Sequence, residues 1–182
     1  METGVFYVNA QTKNSAYNSK KIMNETIIQF LQEQSSASIC CVDAEEKPYC
    51  FNCYYAFNSI SGLLYFKSSA NSHHAALMHE NPFVAGTVLP DKLNKILIKG
   101  IQFEAIVLDT RKPLVKRTLG IYLKKHPLAL AIPGDIWALQ INYIKMTDST
   151  LGFGKKIIWN RGKEPGSFES AKENNNKILN QV

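Results

Sequence analysis

The segment Leu63–Leu77 carries the side chains with the clearest potential for chemistry. In it, an apolar strand pattern leads through a polar turn into the start of a helix. The polar side chains at that junction are Ser68, Ser69, Ser72, His73 and His74. A helix N-terminus presents free N–H groups and a partial positive charge, so it attracts anions, and hydroxyls and imidazoles add donors. The segment predicts a phosphate-type pocket. The alternative is that a serine only caps the helix and the histidines are exposed.

Two other patterns do not favour a chemical site. Helical metal ligands are spaced four residues apart, whereas His79 follows His74 by five residues and His73 by six, so no metal site is expected. The stretch 152–155, Gly-Phe-Gly-Lys, is similar to the end of a phosphate loop. It lacks the Ser or Thr that would hold magnesium, and we interpret it as a turn between strands.

The four cysteines, Cys40, Cys41, Cys50 and Cys53, include a formal CxxC. This CxxC lies in an aromatic run that is typical of a strand, where positions three apart point to opposite faces. Its two thiols therefore cannot chelate one metal, and adjacent Cys40 and Cys41 diverge in the same way. We expect buried, reduced cysteines, which fit a cytoplasmic protein.

Composition bounds the function classes. The chain has 182 residues, a net charge of +6 and 45% hydrophobic residues, which suits one globular domain. No apolar run approaches the ~20 residues that span a bilayer, and the N-terminus lacks the pattern of a signal peptide. The basic residues are scattered, without a stripe of Arg and aromatic residues, so neither a membrane nor a nucleic acid is the expected partner.

Runs of β-branched and aromatic residues between short turns, with apolar and polar residues alternating in the two longest runs, predict a chain of short strands with few helices. The strands are expected at Ser38–Asp43, Tyr49–Phe57, Leu63–Lys67, Phe83–Leu89, Lys95–Asp109, Ile136–Thr147 and Lys156–Asn160. Helices are expected near 20–34, 71–80 and 112–126, and the longest strand should bend at Gly100. Consecutive strands predict a mainly β protein, a small antiparallel barrel with flanking helices. We place a polar leader at 1–18, the barrel domain at 19–161 and a polar tail at 162–182.

Two apolar strand faces predict a homodimer. One face carries Ile101, Phe103, Ala105 and Val107, and the other carries Trp137, Leu139, Ile141 and Tyr143. A single small barrel should not cover both faces on such long strands. We therefore expect one of them to meet a second copy, in an interface above ~2,000 Å² in total.

Several stretches are similar to one known family. The run Phe66–Ala75, with Leu77 and then Asn81–Ala85, resembles the FMN segment of the pyridoxamine 5'-phosphate oxidase-like split barrels. The pattern there is F-x-T-x-x-x-S-R-K-A, a Leu, and N-P-x-V-A. The stretches Thr150–Trp159 and Lys99–Phe103 resemble a bacterial branch of that superfamily. The resemblance covers about residues 22–161 and implies an antiparallel split barrel.

The resemblance also implies FMN in a groove at a homodimer interface. By position, Ser68 matches the phosphate-binding Thr and Ser72 matches the Ser, with Ser69 beside them. His73 and His74 stand where the family has an Arg-Lys pair. Lys95 matches a flavin-contacting Gln position.

The isoalloxazine ring is expected along the strand Tyr49–Tyr54, covered by Trp159 of either subunit. The basic residues that the family oxidase carries on that strand are absent here, as is its C-terminal Arg-Leu-x-Pro. The resemblance thus implies an FMN-binding flavoprotein, an oxidoreductase of unknown substrate other than pyridoxamine phosphate oxidase. The alternative is a non-catalytic split-barrel dimer that binds another anionic ligand or none.

Overall fold

The computed structural model describes residues 23–94, 96–109, 118–152 and 155–162. The helices are α1 (Glu25–Glu33), α2 (His73–Glu80) and α3 (Thr118–Lys125), with short 3₁₀ turns at Pro127–Ala131 and Ser149–Leu151. The strands are β1 (Ser36–Val42), β2 (Pro48–Asn58), β3 (Leu63–Ser68), β4 (Phe83–Val88), β5 (Lys99–Leu108), β6 (Asp135–Asp148) and β7 (Lys156–Asn160). The predicted leader, the tail from 163 onward, Lys95 and the predicted start of the third helix lie outside the described residues.

The seven described strands form one antiparallel sheet that closes on itself. Their order is β3-β2-β1-β4-β5-β6-β7, and β3 also pairs with β6. Closure is possible because β6 is 14 residues long. Its first half pairs with β3, from Ser68 opposite Asp135 to Leu63 opposite Gln140, and its second half pairs with β7. This is the antiparallel split barrel that the sequence predicts.

A bulge in β6 changes which side chains share a face. Glu104 pairs with Tyr143, but the next residue, Ala105, pairs with Ile141, so Asn142 is the extra residue of the bulge. Because of the bulge, the next inward-facing residue after Ile141 is Ile144 and not Tyr143. Tyr143 instead lines a surface cavity. The prediction that Tyr143 shares a face with its apolar neighbours is wrong for this reason.

The core occupies the inside of the barrel. The two apolar faces from which the dimer was inferred both contribute to this one cluster, through Ile101, Phe103, Ala105, Trp137, Leu139 and Ile141. A single chain therefore does cover both faces, because the closed sheet turns them toward each other. That premise for a homodimer is removed.

Helix α1 begins later than the sequence pattern predicts. Asn24 is its N-cap, and the Asn24 side chain accepts a hydrogen bond from the Thr26 N–H at 2.9 Å. One face of the helix carries Ile27, Phe30 and Leu31, which are buried against the barrel.

The long strand β5 also begins later than predicted. The Asn94 side chain accepts hydrogen bonds from the Ile96 and Leu97 N–H groups, and this Asx-type turn keeps Ile96 and Leu97 out of the ladder. Gly100 therefore stands at the start of the strand. The irregularity lies instead between Glu104 and Ala105.

A second, smaller apolar cluster lies on the outer face of β2, β3 and β6. Its members are Ala56, Leu63, Tyr65, Tyr122, Ala129 and Ala138. Helix α3 and the following 3₁₀ turn cover it, which places both of them beside the end of β3. Among the described helices, none has the length and apolar character needed to cross a bilayer.

Candidate functional site

The end of β3 and the start of α2 form the junction that the sequence singled out. Ser72 is the N-cap of α2, so the helix begins two residues later than the predicted range 71–80. Its hydroxyl accepts a hydrogen bond from the Ala75 N–H at 3.3 Å and donates one to the Ser69 carbonyl at 2.8 Å. Strand β3 ends at Ser68, so the Ser68 hydroxyl reaches the same helix terminus.

The imidazole of His74 joins the two serines. Its Nε2 atom lies 2.7 Å from the Ser68 Oγ and 2.9 Å from the Ser72 Oγ. The only hydroxyl hydrogen of Ser72 is already donated to Ser69, so Ser72 accepts from His74. We assign the proton of the neutral ring to Nε2 on this basis. Ser68 then accepts from the same Nε2–H, and among the described residues no acceptor is found for the Ser68 hydroxyl hydrogen, which can point toward a ligand.

The environment of His74 keeps it uncharged near neutral pH. Its ring stacks on Phe51, with the centroids 3.9 Å apart and an angle of 11° between the planes. Burial lowers the pKa of His74 below its ordinary value of 6.5, and the charge of the neighbouring His73 lowers it further. The junction therefore offers hydroxyl, imidazole and amide donors rather than a permanent cation.

His73 points away from this group. Its ring packs edge-on against Tyr49, with the centroids 4.8 Å apart, and the residue is exposed. Ser69 contributes its carbonyl to Ser72 and accepts a hydrogen bond from the Asn71 N–H through its hydroxyl. Of the five predicted residues, Ser68, Ser72 and His74 thus converge directly, Ser69 supports them, and His73 lies to one side.

A cleft of about 220 Å³ opens beside the three converging side chains. It is lined by Phe51, Asn52, Cys53, Tyr54, Lys67, Ser68, His74, Tyr122, Ala129, Ile132 and Pro133. One wall is the β2 segment expected to face a flavin ring, and the opposite wall comes from α3 and the 3₁₀ turn. The cleft is therefore aromatic along its length and polar where it meets the start of α2.

Lys67 is a residue of this cleft that the sequence reasoning did not select. Its ammonium donates hydrogen bonds to the Ala129 carbonyl at 2.8 Å and to the Ile132 carbonyl. It thereby ties the 3₁₀ turn to β3 and brings a positive charge to the cleft wall. Nothing in the local pattern around Lys67 indicates partners more than sixty residues away along the chain.

The remaining candidates lie elsewhere. Trp159 is 5% exposed and belongs to the barrel core, with the Arg161 guanidinium 5.4 Å from its ring centroid. As packed, the Trp159 ring is not among the residues that line the cleft. Lys95 lies outside the described residues. Within the described part of the chain, no group of three His, Cys, Asp or Glu side chains is arranged to hold a metal.

Sequence comparison relates the chain to one family of bacterial proteins. A UPF0306 protein of Photorhabdus laumondii is 38% identical over 139 residues, which cover 75% of this chain and 95% of the relative. A UPF0306 protein of Yersinia enterocolitica is 32% identical over 135 residues, 74% of this chain and 91% of the relative. No family profile matches the chain.

Structure comparison finds similar split barrels of low sequence identity. A heme binding protein of Mycobacterium smegmatis aligns with a TM-score of 0.62 at 9% identity, over 76% of this chain and 59% of that one. A FAD-binding protein of Mesorhizobium loti aligns with a TM-score of 0.55 at 17% identity, over 69% of this chain and 95% of that one. A NimC/NimA family protein of Clostridium acetobutylicum aligns with a TM-score of 0.55 at 16% identity, over 74% of this chain and 89% of that one. At these identities the likeness shows a shared fold.

Proposed function

The chain belongs to the UPF0306 family, and from this premise we propose that it is a flavin-binding split-barrel protein that holds FMN in the cleft beside α2. The observation that carries the proposal is the meeting of the Ser68 and Ser72 hydroxyls with His74 at the helix start. The resemblance to the FMN segment of the pyridoxamine 5'-phosphate oxidase-like proteins falls on these residues. Solved split barrels named for FAD and heme support a planar ring cofactor in this fold.

The donor set fits a phosphate group. The Ser68 hydroxyl hydrogen can point toward a ligand, and the start of α2 carries the partial positive charge of a helix N-terminus, while the Ala75 N–H already donates to the Ser72 cap. His74 is neutral in the free protein, and a phosphate dianion beside it would raise its pKa and favour the doubly protonated ring. Lys67 supplies a permanent charge on the adjoining wall. Together these groups replace the Arg-Lys pair of the family pattern.

The walls of the cleft fit the flat, apolar part of a flavin. Phe51 and Tyr54 from β2 face Tyr122 from α3, which gives aromatic contact surface on two sides. Flavin, when bound, supplies hydride and one-electron chemistry. The residues of this chain bind the phosphate, orient the ring and limit its access to water. An oxidoreductase acting on a small-molecule substrate is the enzyme class that follows.

The cleft mouth also supports a homodimer, on different residues from those that the sequence indicated. Tyr54 and Ile132 line the cleft and are 65% and 60% exposed, and the 3₁₀ turn that contributes Ala129 to the cleft also carries Leu128 and Leu130, which are 86% and 75% exposed. Apolar side chains clustered at a ligand site mark an interaction surface. A second copy packed there would cover the ring. Light scattering should give twice the chain mass of 20.5 kDa, and Leu130→Asp should lower both the measured mass and FMN affinity.

The direct experiment compares FMN with riboflavin, which lacks the phosphate. The purified protein should bind FMN with an absorption band near ~450 nm and quench its fluorescence. Riboflavin should bind at least about tenfold more weakly, because each charge-assisted bond to phosphate contributes roughly 1.5–3 kcal/mol. Ser68→Ala with His74→Ala should remove that difference. His79→Ala, at the other end of α2, is the matched control and should change nothing.

Two results would count against the proposal. Equal affinity for FMN and riboflavin in the wild-type protein would show that the α2 junction does not hold phosphate. Absence of binding to either flavin would favour the alternative function, a split barrel that takes another anionic ligand or none. The neutral state of His74 is the observation that favours this alternative, because it leaves the junction without the cationic pair of the family pattern.

A further inference from the structure

Two cysteines that lie ten residues apart along the chain face each other across a pair of strands. The register of β1 and β2 places Cys40 directly opposite Cys50. Cys40 alternates with Ile39 and Cys41, which are fully buried, so it lies on the outer face of the barrel. Cys50 is exposed, and both cysteines line the same surface cavity of about 480 Å³. Spacing along the chain gives no sign of this pair, because only the register of β1 and β2 brings the two residues together.

The positions suit a covalent bond between the two sulfurs. Directly opposite residues of an antiparallel pair have Cα atoms about 4.5–5.5 Å apart, which lies within the ~4.4–6.8 Å range of disulfides. Their Cβ atoms are about 4.5–5.5 Å apart, and a disulfide needs about 3.5–4.5 Å. A closure of roughly 1 Å is enough, without a change of register.

The two thiols differ in their environments. A hydrogen bond with the Cys50 side chain, followed by burial, raises the pKa of Cys40 to about 11, so Cys40 stays a protonated thiol at neutral pH. Cys50 is the exposed partner and meets solvent directly. Reaction with a small oxidant should therefore begin at Cys50 and end at Cys40.

The other two cysteines, Cys41 and Cys53, cannot replace Cys40 or Cys50 in this pair. Cys41 is 0% exposed, and its sulfur donates to the Tyr49 carbonyl at 3.5 Å. Burial raises the pKa of Cys53 to about 12, and this residue pairs across the ladder with Ala37, on the core side. Both are therefore matched controls.

We propose that Cys40 and Cys50 form a redox-active pair that hydroperoxides oxidise to an intrachain disulfide. In the first step the Cys50 sulfur attacks a peroxide oxygen and the O–O bond breaks, which gives Cys50 sulfenic acid and, from hydrogen peroxide, water. In the second step the Cys40 sulfur attacks the Cys50 sulfur, and the hydroxide that leaves takes the Cys40 proton to form a second water. Two thiols lose two electrons and the peroxide gains them. A thiol reductant reverses the change.

The experiment uses the full chain and hydrogen peroxide as the probe. After oxidation, denaturation and alkylation, two of the four cysteines should resist labelling, and the intact mass should fall by about 2 Da for the two hydrogens lost. Cleavage after Glu45 and Glu46 separates the two strands, and the fragments should stay joined until reduced. The yield should be the same in Cys41→Ser and Cys53→Ser.

The single variants at the pair test the order of reaction. Cys40→Ser should stop at a sulfenic acid on Cys50, detected with dimedone, whereas Cys50→Ser should give neither sulfenic acid nor disulfide. Peptide mapping of the wild-type chain needs no variant, so misfolding of a variant would not remove the test. The proposal is overturned if four free thiols survive hydrogen peroxide, if the disulfide includes Cys41 or Cys53, or if Cys50 joins a second chain instead.

Discussion

The guanidinium of Arg161 occupies the space that a side chain at position 62 would need. A Cβ atom on Gly62 would lie 2.3 Å from the Arg161 Nη2, and Gly62 has a φ of +64°. The same Nη2 donates to the Gly62 carbonyl at 2.8 Å, and the Nε donates to the Ile141 carbonyl at 2.7 Å. Arg161 thus joins the turn after β2 to the bulge of β6, where the barrel closes.

Replacing Arg161 should weaken the closure of the barrel. Arg161→Ala is expected to lower the free energy of unfolding by about 1.5–3 kcal/mol, because it leaves carbonyls of the turn and the bulge without their charged donor. Arg161→Lys should recover only part of this, since an ammonium lacks the planar fork that reaches both strands. Urea unfolding measures both. Lys156→Ala, at an exposed position of β7, should stay within about 0.5 kcal/mol of wild type.

Gly86 should not tolerate a side chain. A Cβ atom there would lie 2.3 Å from the Phe103 Cζ and 2.7 Å from the Ser38 carbonyl oxygen. Gly86→Ala is expected to cost about 1–3 kcal/mol, because backbone or a buried ring must move. Gly120→Ala is the control, since no described residue beyond its chain neighbours and its own helix backbone lies within 4 Å of a Cβ at that position, and in helix α3 it should add about 0.4–1 kcal/mol. Equal effects of the two changes in chemical denaturation would contradict this reading of the packing.

The stack between Phe51 and His74 should control the protonation of the histidine. Burial is the main cause of the lowered pKa of His74, and the Phe51 ring covers one face of the imidazole. Phe51→Ala should therefore move the pKa of His74 up toward 6.5, as measured by NMR titration of the imidazole C–H signals. Tyr49→Ala is the matched control, because Tyr49 contacts His73 instead. A larger shift at His74 in the control would refute the assignment.

His74 should also make the stability of the ligand-free protein fall in acid. Because its pKa is lower in the folded state than 6.5, the unfolded chain binds the proton first as the pH falls through that value. The free energy of unfolding then rises with pH across the window from the lowered pKa up to about 6.5. The contribution of His74 is lost as the pH falls through this window. His74→Gln should flatten this slope in urea unfolding between pH 5 and pH 7.5.

A matched change on the same helix separates the effect of His74 from the destabilisation that low pH causes in the rest of the protein. His79→Gln, at the exposed C-terminal end of α2, should keep the wild-type pH dependence. Added phosphate should oppose the acid destabilisation in wild type, because a bound anion favours the protonated imidazole. If His74→Gln leaves the slope unchanged, His74 is not the titrating group.

Local patterns in the sequence were enough for the elements and for part of the site. Runs of β-branched and aromatic residues between turns, together with period-2 alternation in the longer strands, located each of the seven described strands. The largest boundary error is at β5, where the Asx-type turn of Asn94 interrupts the pattern. Ser72 could be assigned as a cap because a helix start needs a short polar side chain at that position. The meeting of Ser68 with Ser72 and His74 followed, since only three residues lie between the strand end and the cap.

Only the tertiary structure shows which residues meet when segments that are distant along the chain pair with each other. The opposition of Cys40 and Cys50, the bulge at Asn142 and the closure of the barrel by β6 all depend on strand register. The placing of Lys67 in the cleft wall depends on a turn sixty residues away. A sequence fixes alternation and capping because these act between near neighbours. Register and closure are decided by how whole strand faces pack into one core, and a shift of one residue reverses every face.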